Sequence, residues 1–146
     1  MSQKFSLSIC ADDYGITHNV NKAIIKLISN KRLTETSCIV LTENFKKDAK
    51  KLKSFKNEIG IGLHLTLTDF KPLSKKYILN VNGKMPSNLS LLIKCLQKKI
   101  DKKQIFDEID LQIQNFKKYL GFDPNFIDGH HHVHQFPLIR ECVIDV

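Results

Sequence analysis

Short apolar runs alternating with amphipathic helical segments predict an α/β fold: a (β/α) barrel-like parallel sheet with helical crossovers, truncated before barrel closure. Three observations lead there. Four apolar runs, at residues 5–11, 37–41, 59–66 and 125–128, are separated by segments whose apolar residues recur at helical spacing. The runs read as continuously apolar, the pattern of parallel strands covered on both faces. Four strands are too few to close a barrel, and the 146-residue chain stops at Val146 inside its last predicted helix, with no closing strand. Residues 1–146 are therefore expected to be the N-terminal part of a single domain.

The elements follow in order. Phe5 to Ala11 suits a buried strand, and Asp12-Asp13-Tyr14-Gly15 the turn after it. Thr17 or Asn19 can cap a helix whose Val20, Ala23, Ile24, Leu27 and Ile28 share a face. Ser37 to Leu41 is a second strand. Phe45, Ala49, Leu52 and Phe55 mark a lysine-rich second helix. Ile59 to Thr66, with His64 inside it, is a third strand. Residues 68–88 hold Pro72, Gly83 and Pro86 and break the pattern, so a long loop or lid is expected. Leu92, Leu96 and Ile100 mark the next helix. Ile105, Phe106, Ile109, Ile113, Phe116 and Leu120 mark a longer one, closed by Gly121. Asn125 to Asp128 is the fourth strand. A histidine tract follows, and Pro137 opens the last helix.

Composition narrows the function. Hydrophobic residues make up 42% and charged residues 26%, a globular balance that excludes wholesale disorder. No apolar run approaches the roughly 20 residues that cross a bilayer, and Leu7 to Ala11 is too short for a secretory signal. No membrane partner and a cytoplasmic location are expected. Cys10, Cys38, Cys95 and Cys142 are widely spaced in apolar segments, which suits reduced, buried thiols. The net charge of +8 comes from lysines scattered over helical faces, with Arg32 and Arg140 the only arginines. Base readout and phosphate forks favour arginine, so no nucleic-acid partner is expected.

Three clusters carry chemistry, each at the C-terminal end of a predicted strand, where parallel α/β folds place their active sites. Asp12-Asp13 puts two carboxylates where burial is costly unless a cation neutralises them. One can ligate a metal while the other acts as a base; a capped turn is the bland alternative. His64 lies in Gly60-Ile61-Gly62-Leu63-His64-Leu65-Thr66. Alone, such a histidine is more often a satisfied core residue. In Asp128-Gly129-His130-His131-His132-Val133-His134, an extended backbone would aim Asp128, His130, His132 and His134 to one side and His131 to the other. Together the clusters offer one aspartate and two histidines to a metal, with a position left for water, which is a catalytic arrangement. No GxSxG elbow or phosphate-binding glycine loop occurs, and Ser37, Ser87 and Ser90 sit in unremarkable contexts.

Ala11-Asp12-Asp13-Tyr14-Gly15, Gly62-Leu63-His64-Leu65 and Asp128-Gly129-His130-His131-His132-Val133-His134 resemble, in order and spacing, the three signatures of the YdjC/ChbG (HpnK-like) carbohydrate deacetylases. The resemblance spans essentially all of this chain but only the first part of a typical member. It implies a (β/α) barrel and a metal-dependent hydrolase that removes N-acetyl groups from amino sugars. Carried over by position, it makes Asp13, His64 and His130 metal ligands, Asp12 the general base, His132 a second catalytic group and His134 a substrate contact. The implied metal is Mg2+, though an Asp/His₂ set suits Zn2+, Mn2+ or iron as well. The implied partner is an acetylated amino-sugar substrate, and a homodimer is compatible. The rival readings are another metal-dependent amidohydrolase or phosphoesterase, or an inactive metal-binding fragment.

Overall fold

The computed structural model describes residues 6–75 and 82–146. Strands β1 (Cys10–Tyr14), β2 (Glu35–Cys38), β3 (Gly60–Leu65) and β4 (Ile127–Gly129) form one sheet in that order, all neighbours parallel. Parallel neighbours need crossovers. Helix α1 (His18–Ser29) joins β1 to β2, and α2 (Glu43–Lys53) joins β2 to β3. Helices α3 (Asn88–Leu96) and α4 (Lys102–Leu120) lie between β3 and β4, and α5 (Ile139–Ile144) follows β4. This is the predicted α/β, barrel-like architecture, and the sheet is open.

The strands are not continuously apolar, and among the described residues the helices pack against one face. Side chains alternate instead. Ala11, Tyr14, Cys38, Ile61, Leu63 and Ile127 pack with α1, α2 and α4 in one apolar cluster. Leu65 and Leu67 join α3, α4 and α5 in a second. The other face carries Cys10, Asp12, Ser37, His64 and Asp128. The sheet curls around this face: ligand atoms of Cys10 and Asp12 on β1 come within 4.8 Å of Asp128 on β4, although two strands separate them. Polarity on the concave side follows from that convergence.

The first strand starts later than its apolar run suggests. Phe5 lies outside the described residues, and Leu7 and Ile9 are exposed. Pairing begins at the Ile9 carbonyl, which accepts from the Thr34 and Glu35 N–H groups, so Asp12 and Asp13 lie within β1. The β1/β2 register shifts between Ala11 and Tyr14, and this bulge re-aims the two carboxylates.

Helix ends obey local chemistry. The Thr17, Thr42 and Asp101 side chains cap α1, α2 and α4, and Gly121 closes α4 in the left-handed conformation. The buried faces of α2 and α4 contain most of the predicted residues. Two helices are turned by about one position. Helix α1 buries Asn21, Ile24, Ile25 and Ile28 and exposes Leu27, while α3 buries Leu91 and Cys95 and exposes Leu96. Among the described residues of 68–87 no helix forms, as the predicted loop requires, although residues 76–81 lie outside the description. No helix among the described residues is long and apolar enough to cross a membrane.

Candidate metal centre

Asp13, His64 and His130 converge from β1, β3 and the end of β4. Asp13 Oδ1 lies 3.3 Å from His64 Nε2 and 3.0 Å from His130 Nδ1. One ligand atom from each of the three falls within 4.8 Å of the other two. An aspartate with two imidazoles is a donor set that fits a divalent ion.

Asp13 reaches this position through an unusual backbone. Its φ is 66°, in the left-handed region, which for a non-glycine residue costs on the order of 1–3 kcal/mol. The turn after it is clamped. Gly15 has φ 104°, and a Cβ there would fall 2.5 Å from the Ile39 carbonyl oxygen. Buried Asn21 accepts from the Gly15 N–H at 2.6 Å, and its Nδ2 donates to Asp48 Oδ2 at 2.8 Å. Thr42 Oγ1 donates to the Gly15 carbonyl. Leaving that N–H unpaired would cost about 1–3 kcal/mol. Asn21, an amide, meets this demand from the inner face of α1.

His64 is oriented from behind. Its Nδ1 lies 2.7 Å from Asp128 Oδ1 and 3.1 Å from Ser37 Oγ, and Ser37 Oγ donates to Asp12 Oδ1 at 3.3 Å. A proton on Nδ1 satisfies Asp128 and leaves the Nε2 lone pair facing Asp13. Burial pulls the His64 pKa down, but the Asp128 hydrogen bond and the Asp128, Asp12 and Asp13 charges outweigh it and hold it above the ordinary value. His130 is shifted the other way: burial and the neighbouring His131 lower its pKa against the pull of Asp13. The lowered value favours the neutral imidazole, the form that ligates metals.

A second group, Cys10, Asp12 and Asp128, also lies within 4.8 Å. There desolvation and the two carboxylates push the Cys10 thiol up to about 12. Only a deprotonated thiol ligates well, so the histidine-bearing group is the stronger metal candidate.

The histidine tract is not extended. Residues 130–135 coil into a 3₁₀ turn in which His131 and His132 have φ of 54° and 57°. The tract doubles back so closely that a Cβ on Gly129 would meet His134 Nδ1 at 2.5 Å. Asp128, His130, His132 and His134 therefore do not line one side. Asp128 turns to His64 and His130 to Asp13. His131 lies against the His130 ring, with centroids 4.0 Å apart, and its Nδ1 is 3.0 Å from Thr68 Oγ1. His132 is exposed and edge-on to the His134 ring. From sequence, Ser37 is set aside as unremarkable, His131 is aimed away from His130 and Thr68 is not named. Ser37 could have been singled out, because it faces the same side as Glu35 near the end of β2, where the strand-end rule already places chemistry.

The profile of the YdjC-like protein family matches residues 6–146. The chain is 33% identical over 139 residues to the chitooligosaccharide deacetylase of Proteus mirabilis (strain HI4320), covering 95% of this chain and 54% of that protein. It is 32% identical to the carbohydrate deacetylase of Clostridium beijerinckii, covering 93% and 54%. The crystal structure of an Enterococcus faecalis V583 protein assigned by name to cellobiose-phosphate cleavage superposes with a TM-score of 0.77 at 26% identity, over 94% of this chain and 53% of that one. The chain thus spans about half the length of the relatives it matches. With a match over nearly its full length, and with the three signatures folded to one end of a parallel sheet, the chain belongs to the YdjC-like protein family.

Proposed function

We propose that the chain carries the catalytic residues of a metal-dependent hydrolase that removes N-acetyl groups from amino sugars, of the chitooligosaccharide kind or a related acetylated carbohydrate. The convergence of Asp13, His64 and His130 beside Asp12 supports this most directly. The names of the relatives supply the substrate class. Asp13, His64 and His130 would hold the ion, Mg2+ by family resemblance, with Zn2+ or Mn2+ as alternatives. Bound there, it would polarise the acetamide carbonyl and lower the pKa of a water.

The chain's own groups do the rest. Asp12, exposed on the concave face and steadied by the Ser37 hydroxyl, accepts the proton of the attacking water. Oxygen bonds to the carbonyl carbon, the C–N bond breaks, and the leaving nitrogen takes a proton, with His132 as its donor. Acetate and a free amino sugar result. Asp128 holds His64 in one tautomer. Thr68 and Phe70 buttress His131 and His130, and His134 is assigned to substrate contact. In this reading residues 1–146 are one part of a single deacetylase domain that acts in the cytoplasm.

Incubating the purified protein and divalent metal with N,N'-diacetylchitobiose, and separately with cellobiose phosphate and p-nitrophenyl phosphate, tests the proposal. Release of acetate with an equal amount of free amine is expected, without phosphate. Phosphate release without acetate would replace the deacetylase with a phosphoesterase. A second expectation concerns Asp128→Asn. Loss of an outer partner of a ligating histidine typically costs 10–100-fold in metal affinity, so Mn2+ should bind the variant about that much more weakly by titration calorimetry. Unchanged affinity would remove Asp128 from the site's support.

A further inference from the structure

Among the described residues, a buried carboxyl group lies away from the metal centre. Glu108, on α4, is fully buried, as is Gln112 one turn later. An unpaired carboxylate would not be tolerated there. Three N–H groups converge on it: Leu73 N–H at 3.1 Å and Gln112 Nε2 at 2.9 Å on Oε1, and Ser74 N–H at 2.7 Å on Oε2. Gln112 also pairs with the Thr66 peptide as a neighbouring strand would, donating to its carbonyl at 2.7 Å and accepting from its N–H at 3.1 Å. Two side chains of one helix therefore pin both ends of the segment 66–74.

The middle of that segment touches the histidines. Thr68 Oγ1 lies 3.0 Å from His131 Nδ1, and the Phe70 ring sits edge-on to His130 with centroids 5.8 Å apart. Asp69 between them has φ 61° and so adopts a conformation that needs external restraint.

We propose that Glu108 and Gln112 are positioning residues for the reaction: anchored in the core, they fix segment 66–74 so that Thr68 and Phe70 hold His131 and His130 in register with Asp13 and His64. The proposal rests on the metal centre described above. The side chains act through the loop and touch neither metal nor substrate. Burial raises the Glu108 pKa, and the three converging N–H donors oppose that rise by favouring a carboxylate acceptor. Glutamine has the same shape but would direct an NH₂ group against one of the donors.

Glu108→Gln thus breaks the latch while preserving packing. In the folded variant, amide exchange at Leu73 and Ser74 should speed up, the imidazole 15N and 1H shifts of His130 and His131 should move, and Mn2+ affinity should fall about tenfold, the lower end of outer-partner effects. Thr68→Val serves as the second variant. It leaves the latch intact and removes one hydrogen bond, so it should move the His131 shifts with no change in exchange at Leu73 and Ser74. Faster exchange in Glu108→Gln with wild-type imidazole shifts and Mn2+ affinity would reduce the latch to a structural feature and overturn the proposal. If Glu108→Gln does not fold, wild-type His131 shifts in Thr68→Val overturn it equally. A wild-type protein that binds no Mn2+ would count against the metal centre alone, because the imidazole shifts report on the latch without metal.

Discussion

Replacing Asp13 by alanine should abolish measurable binding of Mn2+ or Mg2+ while the fold persists. Asp13 is the hub of the site: one of its oxygens faces both His64 Nε2 and His130 Nδ1. Without it, the group of three keeps two imidazoles and loses its own carboxylate, and hard divalent ions depend on oxygen ligands. The loss should exceed the 10–100-fold that an outer partner costs. Folding should suffer little, because the left-handed backbone at Asp13 is held by the Asn21 and Thr42 contacts to Gly15 rather than by the carboxylate. Titration calorimetry on variant and wild type measures the difference, and equal affinity would remove the centre from consideration.

The same titration carries a pH signature. A metal held by His64 would compete with a proton there, and the His64 pKa stands above the ordinary 6.5. Affinity in the wild type should therefore fall as pH drops through that raised value, with protons released on binding. Stability of the metal-free protein moves in the opposite sense. A raised folded-state pKa means the folded state holds the proton more tightly. The contribution of His64 is then complete below about 6.5 and is lost as pH rises through the shifted value.

What could be read from the sequence divides along physical lines. Strand and helix order followed from periodicity, Thr17 was one of two residues offered as the cap of α1, and Gly121 marked the end of α4. Asp12, Asp13, His64 and His130 were visible because charged or imidazole groups at the ends of apolar strands need a reason to be there. Facing was less legible. Leu27 and Leu96 share helical spacing with truly buried neighbours, and the face of α1 that is buried carries Asn21, bonded to Gly15 and Asp48, together with Ile25. The coil of residues 130–135 was hidden for a related reason: three successive histidines carry no periodicity, and the doubling back is set by the space above Gly129. Contacts between neighbouring strands, such as Ser37 with Asp12 and His64, depend on which strands pair and in what register, which no local window contains.

Asp12→Asn should separate binding from turnover. The carboxylate lies on the concave face, with Oδ1 accepting from Ser37, and an asparagine Oδ1 can accept the same bond. Shape and support are preserved, but the amide cannot take a proton. Positioned general bases contribute about 10²–10⁴-fold, so acetate release from an acetylated chitooligosaccharide should fall by that order. Metal affinity should remain nearly intact, because Asp13, His64 and His130 are untouched. A small gain in affinity at low pH is also expected. Asp12 helps to raise the His64 pKa, and removing its charge weakens the proton that competes with the metal. Normal turnover in Asp12→Asn would assign the base elsewhere. Lost turnover together with lost Mn2+ binding would instead make Asp12 part of the metal shell, where its distance from Cys10 and Asp128 would also permit it to act.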